Sequence, residues 1–438
     1  MKKGNGFTLI ELLAVIAILA IILVISIPKI LDVIETSKIN TLKNTVQLIA
    51  DSAEKKYIEN EAFLEENEIT CDSVAKINDE DYASCTISFD ENGIAKVSIL
   101  GRGKFKGLKV IEATKTNAEV IKLEAPKYGI TAVEYIKQQY EYDGDGLKID
   151  NTKDQNIRYY GSNPNNYVKF NNELWRIIGV FKDNVKLVRK DNLGWLSWDS
   201  SDSAINNGYG INQWGESTYE DGTTYEGSDL MQYLNKMYYG GDTTVTCYGG
   251  SNNATKVCPK DSKGNFLTLD ETSKDLIDNH TWNIGAAEIT ASADMLGFYD
   301  LERGTVNGKI CTSRDKCNDT VTRTTTWTGY IGLPYVTDYA YASSESICET
   351  DMYTQISGVY VCKNNNWMQR SNWTWYLSPR ANTGFANLVW GVKGDENALH
   401  TYAYMSYFVA PSFYLKSNVL IESGNGSESN PYILKAGV

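Results

Sequence analysis

Histidine is almost absent from this chain of 438 residues, which carries only His280 and His400. Two imidazoles far apart in sequence leave little material for a histidine-based acyl-transfer centre. None of the eight cysteines stands in Cys-x-x-Cys spacing, so a zinc site is disfavoured as well. Positive charge is also scarce: 42 Lys and Arg face 55 Asp and Glu, and the net charge of -13 argues against broad binding to nucleic acid. One basic run stands out, Lys96, Arg102, Lys104, Lys106 and Lys109, and it reads as a solvated strand-and-loop edge. No Gly-x-Ser-x-Gly elbow, phosphate loop, His-Glu-x-x-His or dinucleotide-binding glycine pattern occurs in a suitable context. The sequence therefore offers no catalytic residue, no metal ligand set and no cofactor motif. Tryptophan is missing from the first part of the chain, all ten lying between Trp175 and Trp390.

What is there begins with one long apolar run from Phe7 to Ile27, enough helix to cross a bilayer core. Two lysines, Lys2 and Lys3, precede it, as expected for a leader that stays on the cytoplasmic side. A single carboxylate, Glu11, sits early in the run, and an ionisable group in hydrocarbon usually has a partner and a function. Cleavage after Gly6 would leave an α-amine on Phe7, one helical turn from Glu11, or opposite Glu11 of a neighbouring chain in a staggered array. Pro28 removes a backbone donor and should bend or loosen the helix. Beyond it, Leu42, Val46, Ile49, Ala53 and Tyr57 share one helical face, so this half should pack on a globular domain.

Lys3-Gly4-Asn5-Gly6 followed by Phe7-Thr8-Leu9-Ile10-Glu11-Leu12-Leu13 resembles the type IV prepilin cleavage and methylation segment. The resemblance implies processing at Gly6 and Phe7, methylation of Phe7, assembly through Glu11 and a kink at Pro28. It also implies other pilin subunits, a prepilin peptidase and an inner-membrane assembly machinery as partners. The expected location is a single pass of the cytoplasmic membrane before assembly, then the pilus or cell surface, with the carboxy-terminal domains outside the cytoplasm. A secretory signal peptide fits less well, because the apolar run continues past Ala14, Ala17 and Ala20.

The cysteines fall into four close pairs, Cys71/Cys85, Cys247/Cys258, Cys311/Cys317 and Cys348/Cys362. Short-loop closure favours disulfides within each pair, which suits an exported protein. Each bridge would stabilise by ~2–3 kcal/mol.

The expected fold class is α+β, in five parts. Residues 1–6 form the leader and 7–66 the long helix, of which 7–27 is the transmembrane and assembly half. Residues 67–125 form a small antiparallel β-domain, with strands Thr86–Phe89 and Ile94–Leu100 joined at Asn92-Gly93. Residues 126–155 make a connector with a short helix near 132–140 and the acidic turn Asp143-Gly144-Asp145-Gly146, which lacks full calcium-loop spacing. Residues 156–438 form a large aromatic-rich domain. It opens with a meander over 167–189 and continues with helices beginning at Ser228 and Asp270.

Trp373-Thr374-Trp375-Tyr376-Leu377-Ser378-Pro379-Arg380 and Val409-Ala410-Pro411-Ser412-Phe413-Tyr414-Leu415 resemble bacterial surface domains with a Trp-Trp-Leu-Arg-Ser-Pro…Val-Arg-Pro-Ala-Leu pattern. Phe170–Ile177 and Ser228…Leu234-Asn235 fit the same pattern. Such domains are similar to C-type-lectin-like folds and to sulfatase-modifying enzymes, which implies a C-type-lectin-like α+β domain here. Ala410 replaces the family's second arginine, and the calcium-lectin signatures are missing, so sugar binding does not carry over. Trp195, Trp198 and Trp214, set among Asp, Ser, Asn and Gly, are the candidate ligand-binding aromatics for an unknown surface ligand, protein or glycan. The functional expectation is a minor or tip-type pilin or pseudopilin of a type IV pilus, competence or type II secretion filament, displaying a binding domain. The contrasting reading is a surface enzyme or sugar-binding module tethered by a pilin-like helix.

Overall fold

A computed structural model describes residues 9–63, 69–76, 80–200, 210–218, 224–249, 255–256, 258–287, 295–306, 309–310, 324–350, 362–381, 387–392 and 398–437. The chain divides into two compact units. One comprises residues 1–125 with 141–145, the other 126–140 with 146–438. The segment 126–155, expected as a connector, is thus divided between the two.

The first unit is built on helix α1, Leu9–Phe63, which runs on through Pro28. Its first half exposes Leu and Ile side chains all round, whereas Leu42, Val46, Ile49, Ala50 and Ala53 are buried in the second half. That change follows the sequence, because only the second half carries a one-sided stripe. The stripe packs on a four-stranded antiparallel sheet in the order β1 (Tyr82–Phe89), β2 (Ala95–Gly101), β3 (Leu108–Ala113), β4 (Val120–Lys122). Tyr57 ends the stripe half-buried, stacked on Phe89 at 4.7 Å between ring centres. The β1–β2 turn is held by the Asp90 carboxylate, which accepts from the amides of Asn92 (2.9 Å) and Ile94 (3.0 Å). Gly93 takes the left-handed conformation there, at φ 74°. Helix α2 (Cys71–Val74), capped by Thr70, is tied to β1 by the Cys71–Cys85 disulfide.

The second unit is mixed α and β. Helix α3, Ala132–Tyr142, leads into it, followed by β5 (Leu147–Ile149), β6 (Ile157–Tyr159), β7 (Tyr167–Phe170), β8 (Glu173–Phe181) and β9 (Asn184–Arg189). Asn171 and Asn172 make the tight β7–β8 turn with φ of 52° and 57°. These strands belong to an eight-stranded sheet. Ser412–Tyr414 pairs with β9, Tyr432–Lys435 runs parallel to β7, and β6 joins the far half of β8. That junction requires Gly179, since a β-carbon there would lie 2.2 Å from the Ile157 carbonyl oxygen. A second sheet of five strands orders β10 (Trp195–Ser197), Ser406–Phe408, Thr374–Pro379, Leu388–Val392 and Ala398–Tyr402.

The core of this unit is rich in aromatic rings. Trp175 and Phe170 pack on Phe413 at 4.7 Å each. The segment after Ser228 is helical as expected, with the Ser228 hydroxyl accepting from the Met231 amide, but it changes to a π-helix over Tyr233–Tyr239. Asn235 in this turn donates to the Ile331 carbonyl and accepts from the amides of Tyr330 and Ile331, pinning that loop. The helix expected from Asp270 towards Asn279 is one turn, Glu271–Lys274, with Asp270 as its cap. The disulfides Cys247–Cys258 and Cys348–Cys362 close two of the loops. The pairing expected for Cys311 and Cys317 lies outside the described residues.

Candidate functional site

The amino-terminal half of α1 is the first place where the chain leaves a structural need unmet. From Leu9 to Ile27 its apolar side chains have no partner of their own unit, and water is a poor solvent for such a surface. The helix is long and apolar enough to cross a membrane by length and composition. Glu11 is the one charged side chain of this span. Gly6 and Phe7, the expected processing pair, lie outside the described residues.

The basic run is a paired edge of the first unit. Lys96 reaches Glu112 (3.7 Å), Lys104 reaches Asp81 (2.6 Å), Lys109 reaches Glu141 (3.1 Å) and Lys106 pairs with Asp143. The last pair also uses up one acid of the Asp143–Gly146 turn.

In the second unit the three expected ligand-binding tryptophans separate. Trp198 and Trp214 are fully buried, 5.0 Å from each other, with Trp198 at 6.0 Å from Trp375 and Trp214 at 6.0 Å from Trp327. They are core, and neither presents a ring face to a ligand. Their neighbours are polar, but the core draws the indoles in because burial of so large an apolar surface outweighs local composition. Trp195 is different: it is 49% exposed on the edge strand β10, across from Phe408 at 4.4 Å. Further aromatics cluster on the same five-stranded sheet. Trp373 stacks on Tyr407 (5.0 Å, 18° between planes), and the exposed Tyr402 stacks on Tyr404 (5.7 Å). The density of aromatics in Tyr402–Phe408 was the available signal for this group.

The two histidines are structural. His280 stacks on Tyr414 at 3.7 Å with its Nδ1 3.0 Å from the Asp278 carboxylate, and burial lowers its pKa. His400 lies against Arg380, and burial together with that guanidinium pushes its pKa down to about 4.

The second unit also holds a set of buried charges that sequence reasoning missed. Arg158 of β6 donates from Nε to Asp150 (2.5 Å) and from Nη1 to Asp338 Oδ1 (2.7 Å). Lys186 of β9 donates to Asp338 Oδ2 at 2.7 Å. All four side chains are shut off from water. Burial pushes the Lys186 ammonium down to about 8 against the opposing pull of Asp338. At Asp338 burial is outweighed by Lys186 and Arg158, which hold the carboxyl below its ordinary value. Glu302, buried beside this set, accepts from the Thr337 hydroxyl (2.5 Å) and Ser378 hydroxyl (2.7 Å), and burial raises it to about 7. Among the described residues no group of three or more His, Cys, Asp or Glu is arranged to hold a metal ion.

Comparison with known proteins bears on the amino terminus alone. The family model of the prokaryotic N-terminal methylation motif matches residues 1–27. This end of the chain is therefore that of a type IV pilin-like or pseudopilin precursor, which in general is cut by a prepilin peptidase and assembles with other pilin subunits. Motif and apolar helix together fit a membrane-anchored precursor that assembles into a surface filament. No curated protein and no solved structure matches the chain.

Proposed function

We propose that this chain is a minor or tip-type pilin or pseudopilin of a type IV pilus, competence or type II secretion filament, and that its second unit is a binding domain. The observation that carries the reading is α1. Its motif-bearing half is apolar on every side, and its other half is spent on holding a small sheet. Residues 146–438 form most of a second unit that is bulky for a subunit repeated along a whole filament. The C-type-lectin-like identity of that unit rests on the Trp373–Arg380 and Val409–Leu415 motifs, and its ligand, protein or glycan, is proposed to meet the aromatic edge at Trp195.

An enzymatic role is not part of this reading. Lys186, Glu302 and Asp199, whose pKa values depart most usefully for proton transfer, are buried in the core. Intact-mass and amino-terminal peptide analysis of membrane-associated and surface-sheared protein tests the proposal. A chain that begins at methylated Phe7 supports it. A chain that retains Met1 in cells with an active prepilin peptidase overturns it and leaves a tethered surface domain.

A further inference from the structure

From the geometry around Lys186 and Asp338 we infer that these two side chains are joined in the mature protein by an intramolecular amide bond, formed by the folded chain on itself. The inference does not depend on the pilin reading.

The amine nitrogen lies 2.7 Å from Asp338 Oδ2, and both side chains are completely buried. Aromatic rings wall the ammonium in: the centre of Tyr335 is 3.9 Å from Nζ, Trp282 5.2 Å, Tyr414 5.4 Å and Phe181 5.8 Å. Such a site excludes the water that would hydrate the ions or reverse the condensation. Fixing both partners at contact distance supplies an effective molarity that free amine and carboxylate lack. The carboxylate is held firmly as well. Asp338 Oδ2 accepts the Tyr335 amide at 2.9 Å, and the neighbouring Thr337 amide and hydroxyl are anchored on Glu302.

The step balances within the pair. The ammonium gives one proton to Asp338 Oδ2, and the freed lone pair of Nζ attacks Cγ. Charge collects on Oδ1, where Arg158 Nη1 already donates at 2.7 Å. Nζ passes a second proton to Oδ2, the Cγ–Oδ2 bond breaks, and water leaves. The amide nitrogen keeps one hydrogen, and no oxidant or co-reactant is needed. Lys186 loses its ammonium proton more readily than an ordinary lysine, because burial disfavours its charge. The product also accounts for the second acid of the network. Once the charges of Lys186 and Asp338 are gone, Arg158 remains matched by Asp150 at 2.5 Å.

The test is mass spectrometry on the full-length chain purified from membranes, reduced and denatured, before and after incubation of the folded protein near pH 8. The expected result is a chain one water lighter than its processed sequence. Digestion should give a branched peptide joining the Lys186 and Asp338 segments, with no tryptic cleavage after Lys186. Lys186→Arg keeps a cation beside Asp338 but lacks a nucleophilic amine, so it should fold and recover the mass of that water. Linear peptides alone from the wild-type chain, with a free Lys186 amine after incubation, overturn the inference and leave a buried ion pair.

Discussion

Replacing Glu302 by Gln should stabilise the second unit at neutral and alkaline pH and do nothing in acid. The side chain is completely buried, and burial raises its carboxyl from 4.5 to about 7. The folded state therefore holds a proton between those values that the unfolded chain has released. The stability linked to that proton is fully present below pH about 4.5 and is lost as pH rises through about 7. At about 1.4 kcal/mol per pH unit of difference, the loss amounts to about 3 kcal/mol. Gln keeps a carbonyl for the Thr337 amide and Ser378 hydroxyl, and its NH2 can donate to the Thr337 hydroxyl. For a unit of this size about 3 kcal/mol corresponds to roughly 6 °C in Tm. Tryptophan fluorescence reports this unit cleanly, because all ten tryptophans lie between Trp175 and Trp390. Taking the difference between variant and wild type removes other groups. Asp199, raised to about 7 by burial and then by Asp229, contributes with the same sign, and His400, held at about 4, with the opposite one. A Tm difference that stays constant from pH 4.5 to 8 would refute the reasoning.

Trp198→Ala should cost ~3–5 kcal/mol, as expected for truncating a large core side chain, and lower the fluorescence-detected Tm. Trp195→Ala should leave Tm within a degree or two and instead weaken adhesion of intact filaments; equal losses of stability would place Trp195 in the core. Replacing Cys71 and Cys85 by serine opens a loop of 14 residues. The cost should be about 3 kcal/mol, read as faster amide exchange in β1 with no change in tryptophan fluorescence. Glu11→Ala should leave the protein in the membrane fraction but remove it from sheared filaments, and normal incorporation would end the special role of this carboxylate.

Much of this architecture is legible in residues that act locally. The prepilin segment is one, since its glycine, aromatic and lone carboxylate stand at fixed spacing. The stripe of α1 is another: Leu42, Val46, Ile49 and Ala53 are buried because helical periodicity alone places them on one face. The β7–β9 meander follows from its turns, where Asn171 and Asn172 accept a left-handed backbone. Legibility falls where tertiary contact decides. The extra residue per turn after Gln232 accommodates Asn235 on the 330–331 loop, which no local propensity announces.

The buried charges are the furthest case, and Asp150 shows why. Beside Asp143-Gly144-Asp145-Gly146, Asp150 reads as one more acid of a glycine-rich turn. Its carboxylate in fact turns inward to Arg158, eight positions on, with the Asn156 amide and Thr152 hydroxyl completing its bonds. Arg158, Lys186 and Asp338 sit in segments whose neighbours are apolar or aromatic, so each could pass for a strand residue pointing to water. Only the pairing of β6 with β8, made possible by Gly179, brings Arg158 over Asp338. An isolated ion buried so deeply would unfold the unit, whereas two cations against two carboxylates, each hydrogen-bonded, let the chain fold with these groups inside before Lys186 and Asp338 condense. That requirement couples four distant positions during folding, so the loss of charge at any one should be tolerated only when its partner's charge is removed with it.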